Sequence, residues 1–151
     1  MKKAALALIL SVLFFTGCGS TDDSGIIEIK EDTFLGQINE IILNNSDYLG
    51  KTIRLEGFIK RNHWNERDYY FVIRNTTPCN NGEVGFEISW NPDHDNSGNP
   101  IYQRESFPEV NDWVQAIGEL RSYDFMGYPF LYLALSEINV LETRGLEYVT
   151  R

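Results

Sequence analysis

Cysteine is nearly absent from this 151-residue chain, which has only Cys18 and Cys79. Cys18 closes an N-terminal apolar run, so no pair remains to staple the body of the chain, and the fold must hold by packing. Histidine is as sparse, and His63, Cys79 and His94 fall at separations that match no compact zinc signature. Positive charge is short as well: 13 Lys and Arg stand against 22 Asp and Glu, a formal charge of −9. That balance repels phosphate backbones and anionic lipid surfaces, which argues against nucleic acid as a partner. There is no nucleophile elbow, Walker loop or dinucleotide glycine pattern, and acidic pairs abound only because the chain is acidic. The chain therefore reads as a non-enzyme with no implied cofactor. Long apolar runs are missing too, with one exception, Ala4 to Phe15.

That run follows Lys2 and Lys3 and leads into Phe15-Thr16-Gly17-Cys18. About a dozen apolar residues are too few to span a ~30 Å hydrocarbon core, and a basic start with small residues before a cut site marks a secretion signal. Residues 1–17 are read as a signal peptide. The cysteine directly after the small pair resembles the lipobox of bacterial lipoproteins. That resemblance implies cleavage before Cys18, its linkage to diacylglycerol and acylation of its amino group. Several acyl chains would give a lasting attachment, since each buried methylene adds ~0.8 kcal/mol. The alternative is an ordinary secretory leader beside an incidental cysteine. The implied location is the cell membrane, lipid-anchored on its extracytoplasmic face, or the outer membrane where the source has one. Cleavage removes two lysines and no acid, leaving 11 basic against 22 acidic residues and a charge of −11. Residues 18–25 would then be the lipidated cysteine and a flexible tether, and residues 26–151 a single domain.

Within the domain, Phe34, Leu35, Ile38, Ile41 and Ile42 recur at helical spacing. Thr33 is placed to cap this amphipathic helix, and Asn44-Asn45-Ser46-Asp47 to stop it. From Ile53 the period changes to two. Strands are expected at Ile53 to Phe58, Tyr69 to Arg74, Val84 to Trp90, Trp113 to Leu120 and Phe130 to Leu135. Gly57 and Gly118 sit inside two of them, where glycine permits the bulges and coiling that close a small barrel. The expected fold is mainly β, a five-stranded OB-fold-like Greek-key barrel preceded by one amphipathic helix, with a Greek-key sandwich as the alternative.

Tyr48-Leu49-Gly50-Lys51-Thr52-Ile53-Arg54-Leu55-Glu56-Gly57-Phe58-Ile59 resembles the first strand of extracytoplasmic OB-fold lipoproteins of the tRNA-anticodon-binding-like type, and Asp112 to Leu120 resembles their fourth. These motifs speak to barrel geometry more than to chemistry. Arg74 to Glu83 is similar to the R-x-x-x-x-C-C-x-x-D-A segment in the extracytoplasmic domain of an uncharacterised, permease-associated membrane-protein family of Gram-positive bacteria. Arg74 and Cys79 match. Asn80 stands in place of the second cysteine, and the aspartate is missing, which removes a thiolate that a ligand site would use. Cys79 itself is read as a buried inert thiol, with a metal-ligating or reactive thiol as the alternative.

Two constellations are candidates for chemistry. Lys60 to Tyr70, read as a connection between the first two strands, offers Arg61, His63, Trp64, Arg67 and Tyr69 for a planar, anionic or sugar-like ligand. An exposed, solubilising charged hairpin is the plain alternative. Asp93, Asp95, Ser97, the Asn99 carbonyl and Glu105 follow part of a calcium-loop pattern, but Arg104 takes the place of the late acid and Pro100 an aliphatic place. The main expectation is a lipid-anchored, extracytoplasmic binding module of the cell envelope, contacting a small ligand, an envelope protein or a permease. A calcium-binding envelope lipoprotein is the alternative, and a cell-wall hydrolase a more remote one.

Overall fold

The computed structural model describes residues 25–76, 82–90 and 107–150. Its strands are β1 (Ile27–Glu28), β2 (Thr52–Trp64), β3 (Arg67–Thr76), β4 (Glu83–Ser89), β5 (Trp113–Phe125), β6 (Tyr128–Val140) and β7 (Tyr148–Val149), with one α-helix, α1 (Phe34–Leu43), between β1 and β2. They form one seven-stranded mixed sheet ordered β1-β2-β5-β6-β4-β3-β7, which also pairs β2 with β3. That extra pairing closes β2, β3, β4, β6 and β5 into a five-strand ring. Within the ring only β4 and β6 run parallel. The mainly β, five-stranded architecture with a preceding helix agrees with the expectation from sequence.

The interior of the ring follows from alternation along each strand. Ile53, Leu55 and Ile59 of β2, Val72 of β3, Phe86 and Ile88 of β4, Val114, Ala116 and Leu120 of β5 and Leu133 of β6 all point into one core. Helix α1 adds Phe34, Ile38 and Ile41, three fully buried side chains at helical spacing. Thr33 precedes the helix as expected but makes no cap hydrogen bond to the backbone. Its hydroxyl donates instead to Gln37 Oε1 at 2.8 Å, an oxygen that also accepts from the Lys30 N–H.

Closure depends on two glycines. Phe58 is the one residue of β2 paired with both β5 and β3, and Gly57 immediately before it lies at the bend. A Cβ at Gly57 would sit 2.5 Å from the Ile73 carbonyl oxygen, and one at Gly118 would sit 2.7 Å from that of Ala134. Gly118 lies at the register shift between β5 and β6. The expectation drawn from both positions holds, because at each another backbone approaches too closely for any side chain.

Below the bend β2 and β3 part company, and a side chain takes the place of the missing ladder. Arg74 of β3 is 1% exposed. Its Nε donates to the Glu56 carbonyl of β2 at 2.8 Å, and its Nη1 to Glu31 Oε2 and to the Leu146 carbonyl, both at 3.0 Å. The guanidinium lies over the rings of Phe34 and Trp113, at 4.8 and 4.9 Å from their centroids. Glu31 Oε2 also accepts the Leu146 N–H at 2.6 Å. That bond and the Arg74 guanidinium hold the Glu31 carboxyl below its ordinary pKa. One cation thus joins the N-terminal segment, β2, β3 and the C-terminal segment that leads to β7.

Removing a buried cation strands its acceptors, so Arg74→Met is expected to cost ~3 kcal/mol or more in urea unfolding. Arg74→Lys should recover less than half of that, because an ammonium lacks the planar fork that reaches three acceptors. Stabilities of both variants within ~1 kcal/mol of wild type would contradict this role.

Candidate functional site

Both long hairpins of the ring turn in two residues. Asn65 and Glu66 join β2 to β3 at φ 49° and 63°, and Met126 and Gly127 join β5 to β6 at φ 54° and 84°. Left-handed residues at both central positions give the turn that matches strand twist. Asn and Gly suit it, whereas Glu66 and Met126 adopt it at a cost that bulky side chains normally avoid. Met126 is also 78% exposed. A strained turn that presents an apolar side chain to solvent is not explained by stability.

The segment Lys60 to Tyr70, expected to be a loop, is therefore mostly strand. β2 pairs with β3 as far as Trp64 opposite Arg67. Alternation then divides the expected ligand set. Trp64, Arg67 and Tyr69 share one face, while Arg61 and His63 lie on the other, where His63 Nδ1 is 2.7 Å from Asp68 Oδ1 and Arg61 Nη1 is 3.9 Å from Asp68 Oδ2. Both of those side chains are engaged by one carboxylate on the far side of the hairpin from Trp64.

The face that carries Trp64 continues onto the second hairpin. Past their shared pairing β2 and β5 run off in opposite directions, and the coil of the sheet brings their far ends back together. Trp64 meets Phe125 edge-on at 5.0 Å, and Phe125 meets Phe130 at 5.6 Å. Phe130 lies 5.9 Å from Tyr123, and Tyr123 lies 5.8 Å from Tyr132. The outer rings are open to solvent: Trp64 is 49% exposed, Phe130 44% and Tyr128 70%. Tyr69, Tyr123 and Tyr132 are buried. An aromatic ladder thus leads from two exposed turns to a closed interior on the outer side of the ring.

At its inner end is Glu87 of β4, which is 4% exposed. Tyr123 Oη donates to Glu87 Oε2 at 2.9 Å. Burial pushes the Glu87 carboxyl up to about 7 even though the Tyr123 hydrogen bond opposes the shift. Burial and the facing Glu87 charge likewise raise the Tyr123 phenol. The sequence marked neither residue as functional. Glu87 alternates outward between Phe86 and Ile88, which normally means solvent.

Cys18, Cys79, Asp93, Asp95, Ser97, Asn99 and Glu105 lie outside the described residues, as does His94. Among the described residues, no three His, Cys, Asp or Glu side chains converge as a metal site.

Fold and face together define the class: a mainly β domain built on a five-strand ring, with two hairpins that present aromatic side chains on its outer side. Residues 17–90 match the family described as the DUF1980 C-terminal domain, an uncharacterised family. The matched stretch takes in α1, Glu31, Glu56, Arg74 and the Trp64 hairpin, and stops before β5 and β6. No curated protein and no solved structure matches the chain.

The Glu87 carboxyl has a consequence for stability. It titrates near 7 when folded against an ordinary value of 4.5, so between those pH values the folded chain holds a proton that the unfolded chain has released. Its contribution is therefore fully favourable below about pH 4.5 and is lost as pH rises through 7. Glu87→Gln keeps an acceptor for Tyr123 and removes the titration. We expect the melting temperature of the wild type to fall by about 5 °C or more, relative to that of Glu87→Gln, between pH 5 and pH 8. Parallel profiles for the two proteins would contradict the buried-carboxyl account.

Proposed function

We propose that the protein is a lipid-anchored binding module on the extracytoplasmic side of a bacterial membrane, and that it acts by binding rather than catalysis. The contact surface is the aromatic face at the ends of the two hairpins. The observation that carries this reading is the pair of strained turns flanked by half-exposed or exposed Trp64, Met126, Tyr128 and Phe130. Aromatic side chains supply large, rigid contact area at low entropic cost, and local backbone strain concentrates at functional positions.

The anchoring rests on the sequence Phe15-Thr16-Gly17-Cys18 and its resemblance to a lipobox. The resemblance to OB-fold lipoproteins and to a permease-associated extracytoplasmic domain supports an envelope setting, with a small ligand or a neighbouring envelope protein as the partner. Of the residues first singled out, Trp64 and Arg67 remain at the contact face, and Tyr69 lies buried beneath it. Arg61 and His63 support the hairpin from its other side.

Two measurements test this reading. Metabolic labelling with palmitate should mark the wild type and not Cys18→Ser. Detergent-solubilised protein should be retained on washed cell envelopes, and the double variant Trp64→Ala/Tyr128→Ala should be retained at least tenfold less, a loss of about 1.4 kcal/mol. Unlabelled wild type would remove the anchor, and equal retention of a folded double variant would remove the assigned face.

A further inference from the structure

Charge on the aromatic face distinguishes among the ligands it would accept. Around Trp64 and the second hairpin, the acidic and basic side chains on this face are Lys60 and Arg67 of the first hairpin, Glu83 and Glu87 of β4, and Glu119 and Arg121 of β5, while Arg54, Glu56 and Glu137 lie farther along the same side of the sheet. Lys60 is paired with Glu83, and Arg121 donates to Glu119 at 2.8 Å. Glu87 is buried against Tyr123. Two of the three cations around Trp64 are thus held by acids of the same face, which leaves little charge there to offer a ligand.

Resting on the reading of this face as the contact surface, we infer that it binds an uncharged glycan chain, with Trp64 and Tyr128 as platforms for successive sugar rings. The hydrogens on a sugar ring's apolar side carry slight positive charge and sit well against the negative face of an aromatic ring. Edge-on packing of Trp64 against Phe125, at an interplanar angle of 76°, leaves the rings splayed instead of stacked, with ring surface open to a ligand. Asn62, exposed and on the same face, and the Tyr128 hydroxyl supply hydrogen bonds for sugar hydroxyls. Sites for small ligands combine this kind of apolar floor with a few polar groups.

Other occupants fit less well. A membrane surface or a polyanion calls for cations free of acidic partners, and the chain carries a net charge of −9. A stable protein interface buries about 800 Å² per side, more than four partly exposed side chains provide at roughly 100 Å² each. That smaller area suits a few sugar units.

The test uses detergent-solubilised full-length protein and soluble β-linked oligomers of glucose and of N-acetylglucosamine, followed by tryptophan fluorescence and calorimetry. One of the two oligomers is expected to bind saturably, with affinity that changes less than twofold between low and high salt. Trp64→Ala should weaken binding at least tenfold, and Trp64→Phe, which preserves the edge-on contact with Phe125, should restore most of it. Melting curves of each variant separate a binding loss from unfolding. Binding that is unchanged in folded Trp64→Ala overturns the inference, as does preference for anionic vesicles or a polyanion that disappears in high salt. If neither oligomer binds while envelope retention still depends on Trp64 and Tyr128, the glycan inference falls and the contact face stands. If envelope retention is also independent of those residues, both fall.

Discussion

A single buried guanidinium sets the geometry on which the rest depends. Arg74 occupies the place where β2 and β3 separate, and it bonds to β2, to the segment before α1 and to the segment before β7. The two shortest strands of the sheet, β1 and β7, make only two residue pairs each with their neighbours, and the bonds of Arg74 pin the segments beside them. The aromatic rings on either side shield the charge from water and raise the strength of each of its hydrogen bonds. Gly145 completes the fit, since a Cβ there would lie 2.2 Å from Glu31 Oε2. Packing, charge and backbone closure therefore converge on one side chain, which keeps the lower part of the ring shut.

The shut ring has a second effect on its outer side. β2 and β5 are neighbours over seven residue pairs and then diverge, yet their ends meet again at Trp64 and Phe125. That meeting requires the sheet to coil tightly, which the close backbone contacts at Gly57 and Gly118 allow. The hairpin ends thus form a surface that neither hairpin has by itself. Behind that surface, Glu87 and Tyr123 make a buried polar pair at the inner end of the aromatic ladder.

Much of the ring was legible in the sequence. The alternation of Ile53, Leu55 and Gly57, the helical spacing of Phe34, Ile38 and Ile41 and the close backbone contacts at the two in-strand glycines each reflect a local rule that the fold obeys. The ends of the strands were not legible. Arg61 to Arg67 is mostly polar or charged and exposed, so it carries no hydrophobic alternation, and its strand character comes from hairpin pairing and a tight turn. Reading it as a loop also hid the alternation that sends Arg61 and His63 to one side and Trp64 and Arg67 to the other. Arg74 stood out only through its match to a family segment, and its structural role was hidden because its acceptors lie 18, 43 and 72 residues away in the chain. Glu87 looked like a solvent-facing residue because nothing local records that the outer side of β4 is covered.

The claim that the aromatic hairpin face is where this protein meets its ligand is tested most directly by site-specific photocrosslinking in intact cells. A photoreactive side chain placed at Tyr128 would be compared with one at Leu43, an equally accessible residue at the end of α1, 79% exposed against 70% for Tyr128. The account predicts a discrete crosslinked product from position 128 that Trp64→Ala abolishes, and none from position 43. Products from position 43, with none from 128, would place the contact surface elsewhere and contradict it.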